Sequence, residues 1–140
     1  MALYYLDASA LVKLVRDEPE SESLRNFLDA ADLLSSELAL TEVPRAIRRA
    51  AAGDETLPLD LLIERTEALL EALALVPIDR ALLAVAGALA EPTLRSLDAI
   101  HVASAIDTGP LDAFVSYDVG QSAAARLAGL RTFAPGVAAS

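Results

Sequence analysis

The stretch Ala2-Leu3-Tyr4-Tyr5-Leu6-Asp7-Ala8-Ser9-Ala10-Leu11-Val12-Lys13-Leu14 decides the fold class. Residues 2–6 form an uninterrupted apolar run, the pattern of a short strand covered on both faces. Asp7 ends that run, and a helix follows over about residues 8–16. A carboxylate at this junction can accept the unpaired N–H groups of the first helical turn. A strand passing through one acid into a helix is the unit from which parallel sheets are built.

The rest of the chain repeats the unit. Asp17-Glu18-Pro19-Glu20 breaks the first helix, because proline disfavours helical backbone at its predecessor. Ser21 to Ala31 predicts a second helix with Leu24, Phe27 and Leu28 on one face, and Leu33-Leu34-Ser35-Ser36 a short strand. A helix over about 38–52 carries Leu40, Val43, Ile47 and Ala50, with Pro44 either in its first turn or kinking it. Beyond the turn from Gly53 to Pro58, residues 59–72 are strongly amphipathic. Leu75 to Ile78 reads as a strand, and Asp79 caps a helix that runs to about Ala90. Helix 96–107, strand 114–117, helix 119–128 and a last strand near 130–133 complete the series. The expectation is an α/β domain spanning residues 1–140, with helices on both faces of a parallel sheet and a loose tail from about residue 135.

Bulk properties narrow the function classes. Hydrophobic residues make up 54% and mean hydropathy is +0.42, but no run reaches the roughly 18 apolar residues that a membrane span requires. No basic segment precedes the first apolar run, so a signal peptide is not expected. The absence of cysteine excludes disulfides and thiolate zinc sites. A cytoplasmic protein is the simplest expectation. The net charge of −10, with Lys13 as the only lysine, argues against a broad basic surface for nucleic acid. A nucleic-acid substrate would need metal ions and a few local arginines as anchors, and a basic protein partner fits the charge equally well.

Four acids then stand out: Asp7, Glu42, Asp98 and Asp118. Open parallel sheets place their ligand crevice beyond the carboxyl ends of the strands, where Asp7 and Asp118 both fall. Carboxylates brought together from distant segments repel one another and favour a hard divalent cation between them. Taken singly, each has a plainer explanation. Asp7, Asp98 and Asp118 suit helix starts, and Glu42 can pair with Arg45.

The flanks of the acids resemble a family. Leu6-Asp7-Ala8-Ser9-Ala10-Leu11-Val12-Lys13-Leu14, Leu38-Ala39-Leu40-Thr41-Glu42-Val43, Leu94-Arg95-Ser96-Leu97-Asp98-Ala99-Ile100-His101-Val102-Ala103 and Phe114-Val115-Ser116-Tyr117-Asp118 resemble the PIN-domain ribonucleases, most closely the VapC-type toxins of bacterial type II toxin–antitoxin systems. The likeness covers residues 3 to 134, and Leu94 to Ala103 is its most specific block. It implies a three-layer α/β/α PIN fold with a short, mostly parallel central sheet. It also implies a Mg²⁺- or Mn²⁺-dependent endoribonuclease site formed by Asp7, Glu42, Asp98 and Asp118, with Asp7 and Asp98 as direct metal ligands. A cognate antitoxin that occludes the site, and a homodimer, are further implications.

Supporting residues follow from position. Ser9 and Ser116, two residues from Asp7 and Asp118, can orient those carboxylates or make local turn bonds. Arg95 can hold a carboxylate or contact a phosphate. Arg45 and Arg49 lie on the Glu42 side of their helix and can guide RNA, although solvated arginines are the simpler reading. His101 is expected to pack rather than to act as a base. Two rivals remain. One is a PIN-fold protein- or RNA-binding module with little or no catalysis. The other, a phosphoacceptor receiver domain, needs a lysine after a late strand, and Lys13 stands in the first helix.

Overall fold

The computed structural model describes residues 1–138. Five strands form one sheet: β1 (Leu3–Leu6), β2 (Asp32–Ser36), β3 (Ala74–Val76), β4 (Ala113–Val115) and β5 (Thr132–Phe133). Their order is β3-β2-β1-β4-β5, and every pairing is parallel. Seven helices connect them: α1 (Ala8–Val15), α2 (Ser21–Leu28), α3 (Ala39–Gly53), α4 (Leu59–Ala72), α5 (Arg80–Gly87), α6 (Ser96–Asp107) and α7 (Val119–Leu127).

Alternation along β1 sorts the two layers of helices. Leu6 packs with Leu11, Leu24, Val43, Ile47 and Leu62, from α1 to α4. Tyr5 faces the opposite way, toward Val102 of α6, Phe114, and Ala124 and Ala125 of α7. The three-layer α/β/α arrangement and the parallel sheet are therefore as the sequence predicts.

Differences lie at element ends and have local causes. The second helix stops at Leu28 because Ala30 adopts a left-handed backbone, φ 61°, to turn the chain into β2. The helix after Asp79 ends at Gly87, three residues before Ala90, where the Ala88 N–H is shared among the carbonyls of Ala84, Val85 and Ala86. Pro44 is the sixth residue of α3, past the first turn, and the helix continues through it. The missing N–H leaves the Leu40 carbonyl without its usual donor, and Leu40 is half exposed, so water can reach it. Toward the C-terminus, the Tyr117 hydroxyl donates to the Pro135 carbonyl (2.7 Å), and Gly136 lies against Glu20 and Ser23. Residues 139–140 of the expected tail lie outside the described residues.

After β1 the chain builds outward through β2 to β3, then crosses to β4 and β5 on the other side. The direction of winding thus reverses between β1 and β4, where open α/β sheets form their ligand crevice.

Candidate active site

Asp7 follows β1 directly and caps α1. Its Oδ1 accepts the Ala10 N–H (3.0 Å) and the Ser9 hydroxyl (2.6 Å), while its Oδ2 accepts the Ser116 hydroxyl (2.5 Å). The Ser116 bond spans the gap between β1 and β4. Asp7 is only 2% exposed, and burial pushes its carboxyl above the ordinary value despite the three donors. A buried acid with a raised carboxyl in a ligand crevice is a candidate functional group.

Ser9 donates to the Asp7 carboxylate, one of the two roles its position allows. Its oxygen also accepts the Tyr117 N–H (2.9 Å), tying the loop after β4 to α1. Ser116 serves Asp7 across the sheet instead of its neighbour Asp118. Toward Asp118 it accepts that residue's backbone N–H (3.1 Å).

Asp118 caps α7, its Oδ1 accepting the Gln121 N–H (2.8 Å). Asp98 lies in the first turn of α6. Its carboxyl is raised above the ordinary value, first by desolvation and then by the charge of Asp118, with Glu42 adding to the repulsion. Arg95 Nε lies 3.9 Å from Asp98 Oδ2, but its side chain is 85% exposed, so its screened charge offsets little of this. Asp98 and Asp118 share a cavity of about 230 Å³ with Arg95 and Gly120.

Glu42 projects from α3 and pairs with His101 of α6, Oε1 to Nε2, at 2.5 Å. The alternative partner, Arg45, lies beyond ion-pair distance of every carboxylate among the described residues. Glu42 and Ser9 line a second crevice, of about 450 Å³, with Arg45 and Arg49 on one wall and Ala8, Val12 and Leu97 as its apolar lining.

Two residues do more than the sequence predicts. His101 is buried as expected, but both ring nitrogens are bonded, Nδ1 meeting the Tyr5 hydroxyl at 2.8 Å. Gln121, also buried, donates from Nε2 to the Asp98 carbonyl (3.3 Å) and lies beside Ser116. Its place three residues after Asp118 is the capping-box spacing, a signal present in the sequence. The lone histidine carries no comparable local signal, because its partners come from β1 and α3.

The donor chemistry suits a hard cation: four carboxylates, all oxygen. With the side chains as placed, no three acidic or histidine side chains among the described residues converge closely enough to hold an ion. The acids are thus spread over the edge of the sheet: Asp7 buried at the end of β1, Asp98 and Asp118 lining one cavity, and Glu42 lining another.

Comparison with known proteins agrees with this architecture. The PIN domain family model matches residues 4–127. Ribonuclease VapC35 of Mycobacterium tuberculosis (strain ATCC 25618 / H37Rv) is 41% identical, covering 97% of this chain and 99% of the relative. Ribonuclease VapC47 of Mycobacterium tuberculosis (strain CDC 1551 / Oshkosh) is 36% identical, covering 96% and 98%. Two crystal structures share the fold. VapBC2 from Rickettsia felis, bound to a DNA fragment from their promoter, matches with TM-score 0.67 at 14% identity over 94% of this chain and 97% of that one. PAE2754 from Pyrobaculum aerophilum matches with TM-score 0.65 at 20% identity over 94% and 83%. On its sequence, its sheet order and its acidic edge, the chain belongs to the PIN-domain family and is of the VapC type.

Proposed function

We propose that this chain is a Mg²⁺- or Mn²⁺-dependent endoribonuclease toxin, active in the cytoplasm as a homodimer and neutralised by a cognate antitoxin. The observation that carries the reading is the buried Asp7 at the β1/β4 reversal with Asp98 and Asp118 sharing a cavity, in a chain matching VapC ribonucleases over nearly its full length. When bound there, a divalent cation supplies Lewis-acid activation of water and neutralises charge on the phosphodiester. Asp7 and Asp98 would hold it, with Glu42 and Asp118 completing the anionic set.

The remaining steps belong to the chain's own groups. Ser9, Ser116 and the Ala10 N–H hold the Asp7 carboxylate in one orientation. Asp98 and Asp118 share a cavity open to solvent, through which water can reach the reacting phosphate. Arg45 and Arg49 offer cations to the RNA backbone beside Glu42. The antitoxin has support at the level of fold, from the VapBC2 assembly. No described helix is long and apolar enough to cross a membrane.

One observation favours a second reading, a PIN-fold protein- or RNA-binding module with little catalysis: the acids do not converge as placed. Calorimetry with Mn²⁺, together with cleavage of a single-stranded RNA, separates the two. The nuclease reading expects Mn²⁺ heat that Asp7→Ala removes, and cleavage that a chelator stops. RNA binding without Mn²⁺ heat or cleavage would establish the module instead.

A further inference from the structure

The crevice beside Glu42 has a lining that the acids do not explain. Arg45 and Arg49, one turn apart on α3, form one wall, and Val12 of α1 and Leu97 of α6 supply apolar surface. Both arginines are exposed, and neither lies within ion-pair distance of a carboxylate among the described residues. Leu97 is 50% exposed, an apolar side chain left to the crevice rather than to the core.

The crevice also has a fixed place relative to the acids. Leu97 and Asp98 are consecutive residues in the first turn of α6, yet Leu97 lines this crevice and Asp98 the cavity it shares with Asp118. Ser9, another lining residue, donates to Asp7. The two hollows therefore flank the first turn of α6, and an extended polymer passing from one to the other crosses the acids. Its next unit then lies against Arg45, Arg49 and Leu97.

That lining discriminates among ligand classes. A free inorganic anion would use the arginines and leave the apolar wall wet. An apolar peptide would cover the wall and strip water from unpaired guanidinium groups. A nucleotide suits both, because its phosphate meets arginine and the face of an unstacked base covers aliphatic surface. A protein partner fits less well. The net charge of −10 draws basic partners, which two unpaired arginines would repel, whereas RNA carries an anion in every unit.

We propose that this crevice is a nucleotide subsite: it holds the unstacked base next to the scissile phosphate against Leu97 and Val12, with that nucleotide's phosphate on Arg45 and Arg49. This rests on the nuclease reading above and adds a base contact to it, which makes single-stranded RNA the substrate class. In a duplex the bases are stacked and paired, and no base face can reach the wall.

The test is fluorescence anisotropy at fixed salt on full-length Asp98→Asn protein, with labelled oligouridine and an abasic ribose-phosphate strand of the same length. Leu97→Ser is expected to weaken oligouridine binding about 5-fold, the worth of little more than one buried methylene, and to leave the abasic strand unchanged. Arg45→Ala and Arg49→Ala are expected to weaken both strands alike, since they act on phosphate. Leu97→Phe, which supplies an aromatic face, should tighten oligouridine alone. Circular dichroism checks that each variant folds. Equal loss for both strands in folded Leu97→Ser, or no loss for either while Leu97→Phe is also silent, would overturn the subsite. So would tighter, Leu97-dependent binding of a glutamate- and leucine-rich peptide, which would make the crevice a protein-docking site. If the unsubstituted chain cleaves RNA with Mn²⁺ while Leu97→Ser and Leu97→Phe bind as the parent does, only the subsite falls. An unsubstituted chain that neither binds nor cleaves RNA overturns the nuclease reading as well.

Discussion

Asp7 sits in the least favourable place for a charge, and that sets a pH dependence. Its carboxyl is raised above the ordinary 3.8 because burial outweighs the donors from Ser116, Ser9 and Ala10. In the metal-free protein the folded state therefore holds this proton more tightly than the unfolded state does. Stability falls as pH rises from 3.8 through the raised value, and above it the full cost remains. Asp7→Asn, still a competent helix cap, should thus stabilise the chelator-treated protein at neutral pH by on the order of 1 kcal/mol. Urea titrations at several pH values should show this gain shrinking as pH falls toward 3.8. A gain that grew toward acid pH would mean that Asp7 is stabilising as a charge. Ser116→Ala should act in the opposite direction and cost about 1–3 kcal/mol, because it leaves a buried carboxylate oxygen without its donor.

Among the elements, α3 carries the most function. It presents Glu42 on the crevice, with Arg45 and Arg49 one and two turns further on. Because Glu42 bonds His101, Arg45 remains uncommitted, and both arginines are free to meet phosphate. Binding of a single-stranded RNA to catalytically silent Asp98→Asn should lose about 0.7 from the salt slope for each arginine replaced by alanine. An unchanged slope would place the RNA elsewhere. The helix itself was legible from Val43 and Ile47, both fully buried. What Glu42 bonds was not, because the spacing to Arg45 offers a local partner and the real one is 59 residues away. The end of α2 was also hidden, since a left-handed alanine has no sequence signature. Ala30→Gly should relieve that backbone and stabilise the fold by about 0.5–1 kcal/mol, read from its denaturant midpoint.

For the whole molecule, alternating apolar runs and capping acids made the layer order legible, and the parallel sheet follows from that alternation. The strand order places Asp7 beside Ser116, a pairing that distance along the chain conceals. Family resemblance gathered the four acids before any geometry was known. Geometry adds that they form two flanks over a buried centre, so a cation would have to draw them together. Cation binding should then stabilise the fold as a whole. At 100 times its dissociation constant the gain is about 2.7 kcal/mol, or several degrees in Tm. The most direct measurement is cleavage of a single-stranded RNA by purified wild-type and Asp98→Asn protein at equal concentration with Mn²⁺. Loss of cleavage in a variant that keeps the wild-type circular dichroism spectrum is the expected result, and undiminished cleavage by folded Asp98→Asn would contradict a carboxylate-held metal centre.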